Sequence, residues 1–262
     1  MKRQSVVLLG IALMFAAGTL LAQTTTYTVG GGMWMPGYAW VYTGDESGVE
    51  DYELGTGNYF GPYLAINHGR VNFGASMLIG TLTADDKEYV WEGLEAKRTD
   101  INLTMGYRLI SSSALSGNVF IGLKYVKENS TADQWYYIGY DPYTYELYEW
   151  YDEYDVTTTG TLYGAGASLV IPFGTSNFYG YGSMAYLMGT LSTQNNLEGY
   201  SDWDTENDTH LFALTAGLGY RFPSGLGVNV GFRGDLFGND ESDDYEYAQR
   251  LSGLILNASY TF

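Results

Sequence analysis

Residues 99–110 read Thr99-Asp100-Ile101-Asn102-Leu103-Thr104-Met105-Gly106-Tyr107-Arg108-Leu109-Ile110. Thr99, Ile101, Leu103, Met105, Tyr107 and Leu109 fall on one parity; Asp100, Asn102, Thr104, Gly106, Arg108 and Ile110 fall on the other. Successive side chains of a strand point to opposite faces, so this alternation spells a strand with one apolar and one polar face. The last residues repeat it, with Leu254, Leu256, Ala258, Tyr260 and Phe262 against Gly253, Ile255, Asn257, Ser259 and Thr261. No helical period competes.

Working outward, the same reading gives ten segments at about 27–42, 57–67, 70–84, 98–110, 118–132, 156–173, 177–194, 209–222, 226–238 and 248–262. Their connections alternate in length. Asn67-His68-Gly69-Arg70, the Ser-rich stretch 111–117, Gly174-Thr175-Ser176-Asn177 and Pro223-Ser224-Gly225 are tight-turn sequences. The other five connections are long and hold 27 of the 30 acidic residues. Such segregation is what a bilayer enforces, because a Lys or Arg facing lipid at mid-membrane costs about 2–4 kcal/mol. The fold expected is therefore all-β: a transmembrane antiparallel β-barrel of ten strands, with eight as the alternative if two segments form a hairpin outside the membrane. Short turns lie on the periplasmic side and long acidic loops on the extracellular side.

Composition points the same way. Aromatics make up 16% of the 262 residues, with 26 Tyr, as suits walls that meet membrane interfaces. Tyr107, Phe120, Phe173, Phe178, Tyr179, Tyr220, Phe222, Tyr260 and Phe262 cluster beside the short turns and read as one girdle; Trp34, Trp40, Tyr42 and Tyr125 read as the other. With no Cys, disulfides, thiolate metal sites and a Cys nucleophile are excluded. A net charge of −18 makes nucleic acid a poor partner.

The N-terminus reads as an export signal. Lys2 and Arg3 precede an apolar run from Val6 to Phe15, followed by Ala16, Ala17, Gly18 and Ala22. Residues 1–22 are expected to be a cleaved signal peptide and 23–262 the barrel, although cleavage after Gly18 also satisfies the small-residue rule.

On these residues the chain resembles the small outer-membrane β-barrel proteins over residues 27–262. The sharpest mark is the ending Ala258-Ser259-Tyr260-Thr261-Phe262. Its terminal Phe, with an aromatic two residues earlier, is similar to the signal read by the barrel-assembly machinery, which makes Tyr260 and Phe262 the assembly signal. The family often has Gly where this chain has Asn257. The resemblance implies residence in a Gram-negative-type outer membrane, with lipid or lipopolysaccharide around the wall.

Functional candidates follow. Inward parity assigns Asp100, Arg108, Lys124, Arg221, Arg233 and Asp235 to the lumen, either as a plug of ion pairs or as the lining of a narrow polar pore. Inward Gly74, Gly106, Gly122, Gly166, Gly217 and Gly231 would leave free volume. Asp202, Asp204, Glu206 and Asp208 stand at every second position and form a candidate oxygen-ligand loop for a divalent cation, without the Gly and Glu of a helix–loop–helix calcium site. Trp135, Tyr140, Tyr145, Trp150 and Tyr154 belong to an acidic, Tyr-rich loop suited to surface binding; its structural reading is an extended hairpin. Asp208-Thr209-His210 with Asp85-Asp86 bears a weak similarity to the omptin proteases, but adjacent acids on a strand point oppositely.

No dedicated metal site, cofactor or catalytic residue is expected. The leading function is a non-enzymatic outer-membrane protein whose loops bind an extracellular ligand or serve envelope integrity. A narrow cation-favouring channel is the alternative, and an omptin-like protease the second.

Overall fold

The computed structural model describes residues 25–44, 48–83, 91–92, 95–140, 147–196, 205–239 and 245–262. Its strands are β1 (Thr25–Gly44), β2 (Gly48–His68), β3 (Val71–Thr83), the two-residue β4 (Trp91–Glu92), β5 (Glu95–Ser111), β6 (Ser116–Tyr140), β7 (Leu147–Pro172), β8 (Phe178–Asn195), β9 (Thr205–Arg221), β10 (Leu226–Asn239) and β11 (Tyr245–Thr261). Apart from β4, which pairs only with Gln134 and Trp135 of β6, each strand pairs antiparallel with the next around the wall. β11 returns to β1 with Thr28 opposite Thr261, so the sheet closes. Tyr27 and Phe262 exchange backbone hydrogen bonds of 2.9 Å each way at the seam. A closed barrel leaves no sheet edge around its wall. It has ten spanning strands, and the eight-strand alternative is set aside.

The turns on one end are tight for identifiable reasons. Gly69, Gly174 and Gly225 occupy them with φ of 60°, 61° and 92°, a region that favours residues without Cβ. Ser112 closes the fourth: its hydroxyl accepts from the N–H of Ala114 and Leu115 at 3.3 and 3.0 Å.

At the other end the strands run well past the expected boundaries. Glu50, Asp51 and Glu53 lie in β2, and Glu149, Asp152, Glu153 and Asp155 in β7, where the sequence reads as loop. The β6–β7 ladder continues nine residues beyond Thr131, the last β6 residue paired with β5, to Tyr140 opposite Leu147. At ~3.3 Å per residue the hairpin stands roughly 30 Å beyond that point. Cross-strand pairing, once started, needs no lipid to continue, so strand length is not bounded by the apolar pattern.

Parity sorts the wall. Phe60, Ile79, Leu103, Leu123, Tyr163, Leu169, Met184, Leu218, Val230, Phe232 and Leu254 are all exposed on the outer face. A continuous apolar exterior of this extent is a liability in water and a requirement in lipid. Parity also corrects three girdle positions. Trp34 is completely buried inside the barrel. Tyr179 donates from its hydroxyl to Asn229 across the lumen side. Phe120 lies over inward Gly166. Proximity to a strand end places an aromatic at the right height; only parity says which side of the wall it occupies.

Candidate functional site

The barrel interior has two unlike halves. Toward the loop end, inward residues of every spanning strand meet in a septum. β1 supplies Trp34 and Tyr38, β2 Tyr59, β3 Leu78 and Leu82, and β5 Ala96. β6, β7, β8, β9, β10 and β11 supply Val126, Leu162, Leu187, Leu211, Phe237 and Leu251, all buried. Each comes from the period-two pattern of its own strand, so the septum is where the inward parity turns apolar.

Set into that layer is a charged cluster. Arg98 and Asp100 of β5, Lys124 and Glu128 of β6 and Asp235 of β10 are all buried, and Arg233 of β10 nearly so. Arg98 Nε donates to Asp100 at 2.8 Å and Nη1 to Glu128 at 3.1 Å. Lys124 Nζ lies 2.9 Å from Asp100 and 2.6 Å from Asp235. Arg233 meets Asp235 through two nitrogens, at 3.0 and 2.7 Å. β10 stands across the wall from β5 and β6 in strand order, so the Lys124–Asp235 pair crosses the lumen. Three bases face three acids, and the cluster is formally neutral. That balance is required, since a buried charge without a partner costs several kcal/mol.

Aromatic rings complete the packing. The Arg233 guanidinium lies 4.3 Å from the Trp34 ring. Arg98 and Lys124 lie 4.9 and 5.4 Å from Phe237, and Trp34 and Tyr59 are 5.5 Å apart. The three cation-to-ring separations are cation–π distances, and the Trp34–Tyr59 separation is that of an aromatic pair.

Of the six lumen candidates, Asp100, Lys124, Arg233 and Asp235 meet in this cluster. Arg108 and Arg221 face inward near the turn end, apart from it. Arg98 and Glu128 escaped the sequence reading, although Arg98 shares parity with Asp100 and Glu128 with Lys124. Both lie within the expected segments 98–110 and 118–132, so the alternation that places Asp100 and Lys124 inward places them there too.

The turn-side half is polar and partly open to solvent. Asn72, Ser76, Asn102, Asn118, Ser168, Tyr179, Tyr181 and Asn229 are half-buried there. Asn72 donates to Asn118 at 3.3 Å and Asn118 to Ser168 at 3.2 Å; Asn102 donates to Ser76 at 3.3 Å. Except at Gly122, where the nearest atoms leave room for a Cβ, the inward glycines do not supply the free volume expected of them. Asn72 lies over Gly106, Thr104 over Gly74, Phe120 over Gly166, and the Tyr181 hydroxyl over Gly217 and Gly231. Small residues on one strand receive long side chains from the next, as close packing demands.

The loop-end candidates are only partly described. Asp202, Asp204, Asp85, Asp86 and Tyr145 lie outside the described residues. Glu206 and Asp208 are exposed on β9, on the outward parity of Phe212 and Leu214. His210 shares that parity and stacks on Tyr186 at 6.0 Å between ring centres. Asp208 and His210 thus stand on the outer wall and not in the lumen. Among the described residues no group of three or more His, Cys, Asp or Glu is placed to hold a metal ion. In the β6–β7 hairpin, Trp135 pairs with Asp152, Tyr137 with Trp150, Tyr140 with Leu147 and Ala132 with Tyr154.

No protein-family model matches the sequence, and no curated protein matches it. Solved structures do match. The outer membrane protease OmpT of Escherichia coli aligns over 94% of this chain and all of that one, with a TM-score of 0.55 and 11% identity. The fold is that of an outer-membrane β-barrel. The translocator domain of the autotransporter NalP from Neisseria meningitidis gives a TM-score of 0.49 at 12% identity over all of this chain and 97% of that one. The Pseudomonas putida toluene transporter TodX gives 0.34 at 8%, over 94% and 91%. At such identity the likeness concerns the outer-membrane barrel architecture and not an activity.

Proposed function

We propose that the protein is an exported, integral outer-membrane barrel with a sealed lumen that acts at its loop end, as a non-enzymatic surface-binding protein. The observation that carries the sealed lumen is the septum: side chains from ten strands, with the Lys124–Asp235 ion pair at 2.6 Å bridging the bore and Arg233 bound to Asp235 beside it at 2.7 Å. A wide aqueous channel is a property of barrels with about 16 strands, whereas about eight strands are just filled by side chains. Residence in a membrane is supported by the apolar exterior and by the sequence segregation of acidic residues into the long connections. The binding role is supported by the projecting β6–β7 hairpin, whose Tyr and Trp content suits large contacts at low entropic cost.

The test is a cell-surface or pull-down binding assay with the full chain and with residues 133–155 removed. Loss of binding on deletion is expected; undiminished binding would remove the hairpin as the binding surface. The protease reading draws no support from Asp208 and His210 on the outer wall, and His210→Ala is expected to leave any cleavage of a basic peptide unchanged.

A further inference from the structure

The turn-side half of the barrel has a charge composition opposite to that of the whole chain. Residues 58–76, 101–123, 163–187, 213–232 and 252–262 contain no Asp or Glu. They contain three arginines: Arg70, Arg108 and Arg221. None of the three forms an ion pair with a described residue. Arg108 N–H donates to the Arg70 carbonyl at 2.7 Å, one rung below Val71 opposite Tyr107, so two like charges stand opposite each other on neighbouring strands. Like charges so placed are destabilising. The Arg108 Nε is buried and lacks a hydrogen-bond partner, as does the Tyr181 hydroxyl. Arg221, on β9 across the wall, lies over the inward ring of Tyr179 at 5.8 Å.

We propose that this vestibule is a binding site for a small oxyanion-bearing, polyhydroxylated ligand, of the sugar-phosphate or sugar-carboxylate class, entering from the turn side. The arginines supply charge-assisted donors for the oxyanion. The Asn72–Asn118–Ser168 chain, Asn229, Tyr179 and Tyr181 supply uncharged donors and acceptors for hydroxyls. The septum above closes the route to the loop end, so the ligand is held and not passed through. An anion bound at Arg70 and Arg108 relieves their repulsion without a carboxylate from the protein.

The experiment is titration calorimetry of the refolded full chain in zwitterionic micelles, with glucose 6-phosphate, glucuronate and glucose as probes. Folding of each variant is verified by its heat-modifiable gel shift. Saturable binding of at least one anionic probe is expected, with glucose binding far more weakly. Arg108→Gln and Arg221→Gln should each weaken it on the order of tenfold to hundredfold, as loss of a charged hydrogen bond does. Arg108→Lys should retain part of the affinity, and Lys97→Gln on the outer wall all of it. No saturable heat with either anion, or binding indifferent to both arginine variants, would overturn the proposal. So would capture of phosphatidylglycerol in nanodiscs without binding of a soluble probe, because that places the anion at the lipid rim and not in the vestibule.

Discussion

Asp235 is the hinge of the septum's electrostatics, and its replacement by Asn is the sharpest perturbation available. The carboxylate is fully buried and is met by Lys124 at 2.6 Å and by Arg233 at 2.7 and 3.0 Å. Asp235→Asn keeps the shape and one acceptor oxygen but removes the charge. Lys124 keeps Asp100 at 2.9 Å; Arg233 keeps the same Asp100 only at 3.9 Å. The cluster is left with three bases and two acids in a layer with little access to water. Removing one partner of a buried pair costs about 3–5 kcal/mol, and the low end applies here because Lys124 retains Asp100. The assay is urea unfolding of the refolded barrel in lipid vesicles, followed by Trp fluorescence, which Trp34 reports from within the septum. The variant should lose roughly 3 kcal/mol. Lys124→Met with Asp235→Leu restores charge balance, leaving Arg98 and Arg233 against Asp100 and Glu128, and should recover much of the loss. A single variant within about 0.5 kcal/mol of wild type, in the range of an ordinary surface substitution, would refute the reasoning. A double variant no more stable than the single would do the same.

Two further outcomes follow from the same geometry. Phe232 is 51% exposed in the middle of the outer belt; Phe232→Arg should destabilise the barrel in vesicles by about 2–4 kcal/mol, whereas Phe232→Leu should be close to neutral. Trp34 fills the septum between Tyr59 and Arg233; Trp34→Ala should cost about 3–5 kcal/mol and let discrete ion-conducting steps appear in a planar bilayer.

The wall of this barrel is legible because each spanning strand carries its own parity. Residues 99–108 alternate between lipid and lumen without reference to any other strand; a bulge between Arg108 and Ile110 then ends the alternation, and Leu109 and Ile110, which the pattern puts on opposite faces, are both exposed. What parity cannot supply is height and partner. Asp100 and Asp235 are separated in sequence, and nothing in either segment says that Lys124 reaches both; that depends on the register of strands that are opposite in the closed wall. The inward glycines misled for a related reason. Gly217 and Gly231 look empty in the chain, but the Tyr181 hydroxyl from β8, next to the strand of Gly217 and two strands from that of Gly231, lies over both. Trp34 shows the converse: an aromatic near a strand end suggests a girdle, yet its even position in β1, shared with Gly32 and Pro36, puts it inside. Arg98 and Glu128 are within reach of the parity rule, since both lie inside the segments 98–110 and 118–132 and share the inward parity of Asp100 and Lys124. The extent of β6 and β7 beyond Thr131 is not, because acidic, Tyr-rich sequence is compatible with both a loop and a solvated hairpin.

The account rests most directly on the septum, and single-channel recording of the refolded wild-type protein in a planar bilayer under a salt gradient tests it. A folded barrel that stays silent over the range in which Trp34→Ala conducts is the predicted result. Discrete wild-type steps with a cation-favouring reversal potential would contradict the sealed lumen, and would make Asp100, Lys124, Arg233 and Asp235 the lining of a pore.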